Sequence, residues 1–557
     1  MTDARRELVA CVGVLILATA IMLPAFIQGF PAGFDAVRHY RWTSQFIDAL
    51  RDGAVYPRWL PAANNGQGSP VPLYYPPLPF YVGAGFSLLT GNTLRAITLS
   101  CWLALALSGL TMYLFSRSAL SVGLSFAAAA LYMLAPYHLL DLYQGATVSE
   151  FWAFAWPPLL FYAIVRINAG HTLRGIAVLA LGYALLILTH VPVAFLTTLA
   201  LAVYAVALTR KPFTLVRIAA GLALGAGIVA IFLLPVLFET RYVWLFFKFD
   251  YRDYFLFEHL RAALGSTRFP VNASLFSYLL DTDFVAVGPM LLFLVSSFLI
   301  WIGIRKRAEG MTRLSVAIWI VTLFSFLMTT RLTAPIWRIT PGLSFLFYPW
   351  RWLVVASAGA AFFAALSIRV LSLNGRWRVL KALALTSTVI LNVAISGLLI
   401  ARAPHDPEGL EGGLYRRDTR EYRPLWWDGQ LREDLWRSPA RLVSGDAQVV
   451  SLDETGIEQR YSVAATTESV VAFRPLYFPG WVARLDGSQT AIAPTPEGNI
   501  QLTVEPGEHN LTLSFEDTWP RSLGKLVSGV SFALFLGILY FAGIAPNYTK
   551  PGEHIPK

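Results

Sequence analysis

Asp35 and His39 stand four residues apart in Gly33-Phe34-Asp35-Ala36-Val37-Arg38-His39, a spacing that puts both on one face of a helix. Trp42, Phe46 and Leu50 continue at helical spacing, so the segment reads as an interfacial helix just after the first apolar run. A carboxylate beside an imidazole is the raw material of acid–base chemistry. Asp48, Asp52, Asp141, Glu150, Glu239, Asp250, Asp253, Glu258, Asp281 and Asp283 map to the same side of the apolar runs as Asp35, and no acid falls in the middle of a run. An intramembrane carboxylate is the default mark of a coupled transporter. Carboxylates gathered at one interface instead favour chemistry at the membrane surface.

The elements that must hold these residues are set by hydropathy. Of 557 residues, 56% are hydrophobic and 14% charged, with a mean hydropathy of +0.55; a soluble domain carries about 25% charged residues. Such a chain needs lipid as solvent for much of its surface, which excludes an ordinary soluble enzyme. The run from Leu8 to Ile27, preceded by Arg5 and Arg6, reads as an uncleaved first span. Further runs centre on Leu105, Ala128, Pro157, Leu181, Ala200, Gly225, Phe293, Trp319, Gly359, Val389 and Leu534, which makes about twelve spans. Crossing at each puts Arg117, Arg166, Arg174, Arg210, Lys211, the Arg305-Lys306-Arg307 cluster, Arg376 and Arg378 on the N-terminal side, obeying the positive-inside rule. The Pro- and Gly-rich stretch from Leu73 to Leu89 must then lie along the outer face as a short helix.

This topology leaves outside the loops 29–94 and 238–283, the second rich in aromatics (Trp244, Phe246, Phe247, Tyr254, Phe255) among Lys248, Arg252 and Arg261. It also leaves outside a hydrophilic region over 403–521, followed by a last span and tail over 522–557. The hydrophilic region holds 19 acidic residues and 11 Arg, a net −8, so the rest carries +18. The global basicity is therefore a topology signal, and no nucleic-acid partner is expected. Within it, 459–473, 481–485, 500–504 and 510–515 are strand-like, with Pro506-Gly507 in a turn, and predict a small β-sandwich. Cys11 and Cys101 lie in separate apolar runs and argue against a disulfide framework or a cysteine metal site.

The first external loop carries the specific pattern. Asp35, three residues, His39, then Tyr56-Pro57-Arg58-Trp59, Gly66-Gln67-Gly68-Ser69-Pro70 and Tyr74-Tyr75-Pro76-Pro77-Leu78-Pro79 resemble bacterial membrane proteins labelled pyruvoyl-tetrahydropterin-synthase-related. Tyr477-Phe478-Pro479-Gly480-Trp481 and Pro506-Gly507-Glu508-His509 resemble the C-terminal domain of YfhO-like proteins. Both groups resemble the GT-C glycosyltransferase superfamily. The fold implied is an all-α polytopic membrane protein, GT-C-like over 1–402, with the β domain outside the cytoplasm. The eight histidines are scattered without a close pair, so the zinc site of soluble pterin synthases is not expected.

The resemblance implies inverting sugar transfer from a polyprenyl-phosphate donor to a glycan, lipid or protein acceptor, at the periplasmic face of a bacterial inner membrane. Asp35 matches the first-loop acid that acts as base or ligates a divalent cation. Asp141 and Glu150 are both available as the second carboxylate. Arg351, flanked by Trp350 and Trp352, with Arg331 and Arg338 in the preceding loop and Arg38, Arg58 and His39 in the first, would bind the donor and its phosphate.

Plainer readings stand beside these. Asp35 is placed to cap the helix it precedes, and His39 to pack. Asp141 and Glu150 read equally as loop carboxylates wetted by the outer phase, and Arg351 as a span anchor. Tyr74, Tyr75, Phe80 and Tyr81 fit a membrane aromatic belt better than a sugar platform. A flippase or assembly protein for lipid-linked glycans is the alternative to an enzyme.

Overall fold

The structure, a computed structural model, describes residues 3–244, 251–256, 258, 273–307, 311–371, 378–412, 418–431, 438–453 and 456–544. Phe246, Phe247, Lys248, Asp250, Arg261 and Arg376 lie outside these residues.

The protein is a helical membrane protein with a C-terminal β domain. Among the described residues, nine helices are long and apolar enough to cross a bilayer, and three bent pairs raise the number to twelve. Each run centre read from hydropathy falls in one of them. The bent pairs are Val122–Met133 with Pro136–Tyr143 (41°), Pro212–Ile228 with Ala230–Tyr242 (81°) and Arg313–Met328 with Arg331–Ile339 (91°). A break inside a bilayer frees backbone groups that lipid cannot satisfy, so other chain segments must. Pro136 cannot donate to the Tyr132 carbonyl, which accepts from the Ala135 N–H at 3.2 Å, and the Leu134 carbonyl accepts from the Ser396 hydroxyl at 2.7 Å. The Ile231 N–H at the second break donates to Ser528 Oγ at 2.8 Å. The helix Leu78–Thr90, at 13 residues, is about 20 Å long and falls short of a span.

Nine helices matter below: α1 (Asp3–Gln28), α2 (Ala36–Arg51), α3 (Leu78–Thr90), α4 (Pro136–Tyr143), α5 (Val148–Ala153), α6 (Val191–Leu208), α7 (Ala230–Glu239), α8 (Leu353–Leu371) and α9 (Trp519–Ile544). α2, read from the sequence as an interfacial helix, is packed against its own loop. Ten of its residues are buried, His39, Arg41, Trp42 and Phe46 among them, because Leu60, Val71 and Phe80 of the same loop pack over it.

The β domain is a two-sheet sandwich of β1 (Ala440–Ser444), β2 (Ala447–Asp453), β3 (Glu458–Ala465), β4 (Ser469–Leu476), β5 (Trp481–Leu485), β6 (Ser488–Thr490), β7 (Ala493–Pro494), β8 (Asn499–Val504) and β9 (Gly507–Phe515). One sheet runs β1-β4-β8-β7, the other β2-β3-β9-β5-β6. The single strand read over 459–473 is two strands in different sheets. The chain turns at Thr466-Thr467-Glu468, three polar residues that end the alternation, and Tyr461 and Val463 then face Val471 and Phe473 in one core. The last strand begins at Gly507 itself rather than after the turn.

The first loop is packed into this domain. Trp59 contacts Phe478, Trp481 and Phe515 at ring distances of 6.1, 5.6 and 5.3 Å. Gly68 lies so close to the Trp59 indole that a Cβ would overlap it, and its φ of +85° suits glycine alone. Two buried acids bolt the seam. Asp418 accepts from Arg41 at 2.8 Å, Trp42 at 3.1 Å and Asn64 at 3.3 Å. Glu239, at the end of α7, pairs with Arg521 of α9 at 2.9 Å, both 1% exposed.

Candidate functional site

Asp35 occupies the N-cap position of α2, yet its side chain makes no capping bond. It receives a hydrogen bond from Arg38 instead, which removes the plain capping reading. Its backbone is held from outside the helix: Phe34 N–H donates to Gln144 O (3.2 Å) and Asp35 N–H to Gly145 O (2.8 Å). Gln144 to Thr147 form the tight link from α4 to α5, with Ala146 at φ +49° and Thr147 N–H on the Asp141 carbonyl at 2.8 Å. The first loop is thereby fastened to the link that leads directly into Glu150.

Glu150, 5% exposed, has both oxygens engaged. Oε1 accepts from the Tyr137 hydroxyl at 2.5 Å; Oε2 accepts from Arg351 Nε at 3.0 Å and lies 3.8 Å from His190 Nε2. Arg351, just ahead of α8, also donates from Nη1 to the Leu346 carbonyl at 2.8 Å, and its guanidinium lies 4.8 Å from the Tyr348 ring centre. Its Nη2 has no hydrogen-bond partner among the described residues. His190 caps α6 by accepting the Val193 N–H on Nδ1 at 3.2 Å, which leaves the Nε2 proton facing Glu150.

Asp35 contrasts with Glu150. Its side chain is 24% exposed, and among the described residues only Arg38 hydrogen-bonds it. Burial raises its carboxyl above the usual carboxylate range, while the charge and hydrogen bond of Arg38 and then the charge of Arg351 pull the other way without cancelling it. His39 is pushed down to about 3 by burial, then by Arg38. It is a neutral ring beside Tyr75, whose hydroxyl lies 3.4 Å from Nε2. A neutral imidazole brings no positive charge to a phosphate and keeps a single N–H donor.

The sequence-derived residues thus divide. Asp35, Arg38, His39, Glu150 and Arg351 share one cluster at the β-domain end of the bundle, where Asp35 and Arg351 interact through space. Asp141 is fully buried on α4, and Glu150 is the acid that meets Arg351; neither is a wetted loop carboxylate. Arg58 pairs with Asp517 in the seam to the β domain. Arg331 is exposed and 3.5 Å from Glu258, and Arg338 is exposed. Of the loop aromatics, Tyr75 is at the cluster, whereas Tyr74 is buried with its hydroxyl on the Glu239 carbonyl (2.8 Å), Phe80 is buried behind Trp42 and Phe46, and Tyr81 bonds Val55 O.

Sequence reading missed four residues here: Tyr137, His190, Glu421 and Tyr422. His190-Val191-Pro192, a polar residue before a helix-starting proline between two apolar runs, was the one legible signal. Glu421 and Tyr422 come from the region assigned to the β domain and reach the cluster because Asp418 is bolted to Arg41 and Asn64.

Asp35 offers one carboxylate oxygen beside the Arg38 guanidinium, and Glu150 is committed to Arg351 and Tyr137. No group of three or more His, Cys, Asp or Glu is arranged for a metal among the described residues.

The sequence model of a family described as "6-pyruvoyl-tetrahydropterin synthase related domain; membrane protein" matches residues 73–403. An uncharacterized protein of Lactococcus lactis subsp. cremoris is 29% identical over 182 residues, 32% of this chain and 29% of that one. Among solved structures, the chain is similar to the archaeal oligosaccharyltransferase AglB from Archaeoglobus fulgidus, in complex with an inhibitory peptide and a dolichol-phosphate. That match has a TM-score of 0.44 and 13% identity, over 75% of this chain and 61% of that one. It is also similar to the mycobacterial arabinofuranosyltransferase AftD, with a TM-score of 0.41 and 16% identity, over 72% and 27%. The chain covers less than two thirds of each of these three.

Proposed function

The chain belongs to the 6-pyruvoyl-tetrahydropterin synthase related family of membrane proteins, and we propose that it is a glycosyltransferase using a polyprenyl-phosphate sugar at the periplasmic face of a bacterial inner membrane. The observation that carries this is the division of labour between two carboxylates in one cluster. Glu150 is saturated by Tyr137 and Arg351 and holds that guanidinium in place; Asp35 keeps an oxygen and a quarter of its side chain open, with its proton affinity raised by burial.

In this reading Asp35 takes the proton of an acceptor hydroxyl as that oxygen attacks the anomeric carbon. The bond from that carbon to the phosphate oxygen breaks with inversion, and the negative charge that develops on the phosphate is met by Arg351 and Arg38. A lipid-linked donor accounts for the place of the cluster at the end of the spans, since the prenyl tail needs lipid while the sugar and acceptor need water. The acceptor is a glycan, lipid or protein hydroxyl on the same side as the β domain, with the N-terminus cytoplasmic.

The test is release of polyprenyl phosphate from a polyprenyl-phosphate hexose by the full chain in nanodiscs, with Asp35→Asn and Asp35→Ala beside wild type. Loss of about 100-fold or more in both, with membrane insertion unchanged, is expected for a general base. Full activity in either variant removes Asp35 from the mechanism.

A further inference from the structure

The aromatic side chains beside Asp35 have no part in the chemistry just described. Trp42 is buried, at 2% exposure; Tyr75 and Tyr422 are half-buried and reach the surface. The ring centres of Trp42 lie 4.9 Å from Tyr75 and 5.7 Å from Tyr422, and those of the two tyrosines are 6.1 Å apart with their planes at 81°. The three rings form a packed corner: Tyr422 stands edge to face against Trp42 and Tyr75, and Tyr75 is backed by Phe80, stacked at 5.7 Å. Both tyrosines lie in the neighbourhood of Asp35 and Arg351, and Glu421, the residue before Tyr422, lies in that of Arg38.

The corner is rigid. Tyr422 sits four residues after Asp418, whose carboxylate is tied to Arg41 and Trp42 of α2, and Arg423 closes the turn by donating twice to the Asp418 carbonyl, at 3.0 and 2.8 Å. The chain beyond is stitched to the start of the second loop by Leu425 N–H on Tyr242 O at 3.0 Å. A preformed aromatic corner with charged groups at its rim suits a ligand that has an apolar face and a polar circumference.

We infer that Tyr75 and Tyr422 seat the sugar ring of the lipid-linked donor, with Glu421 accepting hydrogen bonds from its hydroxyls. The inference rests on the transferase reading and deepens it. Donor, rather than acceptor, follows from connectivity: the sugar is one bond from the phosphate, and the corner adjoins the two arginines assigned to that phosphate. A wall of the site would then come from the chain that leads into the β domain, so Tyr422 determines specificity although it lies 387 residues from Asp35 in sequence.

The experiment measures binding of two lipids to the full chain in nanodiscs: a polyprenyl phosphate without sugar and the corresponding polyprenyl-phosphate hexose. Tyr422→Ala is expected to weaken the hexose lipid about fivefold or more, the scale of one packed ring, and to leave the sugar-free lipid unchanged. Tyr422→Phe keeps the ring and is expected to match wild type on both. Arg351→Gln is expected to weaken both. Equal loss on both lipids in Tyr422→Ala, or no loss on either, overturns the sugar seat while wild-type binding and the Arg351 effect leave the transferase reading standing. Failure of the wild type to bind either lipid overturns the transferase reading, and the seat with it.

Discussion

The main-chain N–H of Asp35 donates to the carbonyl of Gly145 at 2.8 Å, so the first loop is hooked onto the turn between α4 and α5 before its helix begins. The hook needs a glycine at position 33. A Cβ there would lie 2.5 Å from the Gln144 carbonyl oxygen and 2.8 Å from Ala146 N. Gly33→Ala is therefore expected to push the loop off the turn, at a cost of about 1–3 kcal/mol, and to displace Asp35 from Arg351. Thermal denaturation of the purified protein and donor turnover measured together check this. Normal turnover in Gly33→Ala would show that the hook does not place the carboxylate.

Glu150 and Arg351 form a buried pair, their side chains 6% and 12% exposed. Glu150→Gln leaves the guanidinium without its counter-charge and is expected to destabilise by roughly 3 kcal/mol. The double variant Glu150→Gln/Arg351→Gln recovers part of that loss, because no uncompensated charge remains. The coupling energy from a double-mutant cycle should be at least about 0.5 kcal/mol; simple additivity would mean that the two do not act as a unit.

Burial holds the Asp35 carboxyl above its usual range, so the folded protein binds this proton more tightly than the unfolded chain does. The stability linked to Asp35 is thus full below the unfolded carboxylate value and is lost as pH rises through the folded one. Asp35→Asn is expected to denature at a temperature equal to or above wild type at neutral pH, with the gap closing as pH falls, while activity disappears. A variant that is less stable at neutral pH and regains nothing in acid would assign Asp35 to scaffolding.

In the β domain, His509 Nδ1 is 2.7 Å from Asp486 Oδ2, and Asn510 N–H donates to Asp486 Oδ1 at 2.8 Å. The hydrogen bond to Asp486 raises His509, and the Asn510 amide followed by His509 lowers Asp486. The imidazolium's contribution is full below about 6.5 and fades as pH rises through its raised value; that of Asp486 is present above the usual carboxylate range and fades only in stronger acid. An NMR titration should place His509 above 6.5 in wild type and return it toward 6.5 in Asp486→Asn.

Much of the architecture was legible from local pattern. Each run of about twenty apolar residues has one low-energy fate in lipid, and alternation along residues such as Tyr461, Val463, Val471 and Phe473 marks strands whatever their partners. The Thr466-Thr467-Glu468 corner was not legible, because which sheet a strand joins depends on distant pairing: β3 bonds β9, and β4 bonds β8.

Hydropathy, charge placement and the first-loop motif by themselves determined a multi-span protein with a β domain near its C-terminal end and singled out Asp35, since those signals are carried by neighbours in sequence. Only the tertiary structure decided that Glu150 rather than Asp141 meets Arg351, 201 residues away, that His190 and Tyr422 join them, and that Arg58, Arg331 and Arg338 turn elsewhere. The reason is that a charge takes its role from whichever partner shares its low-dielectric surroundings, and that partner is chosen by how helices pack.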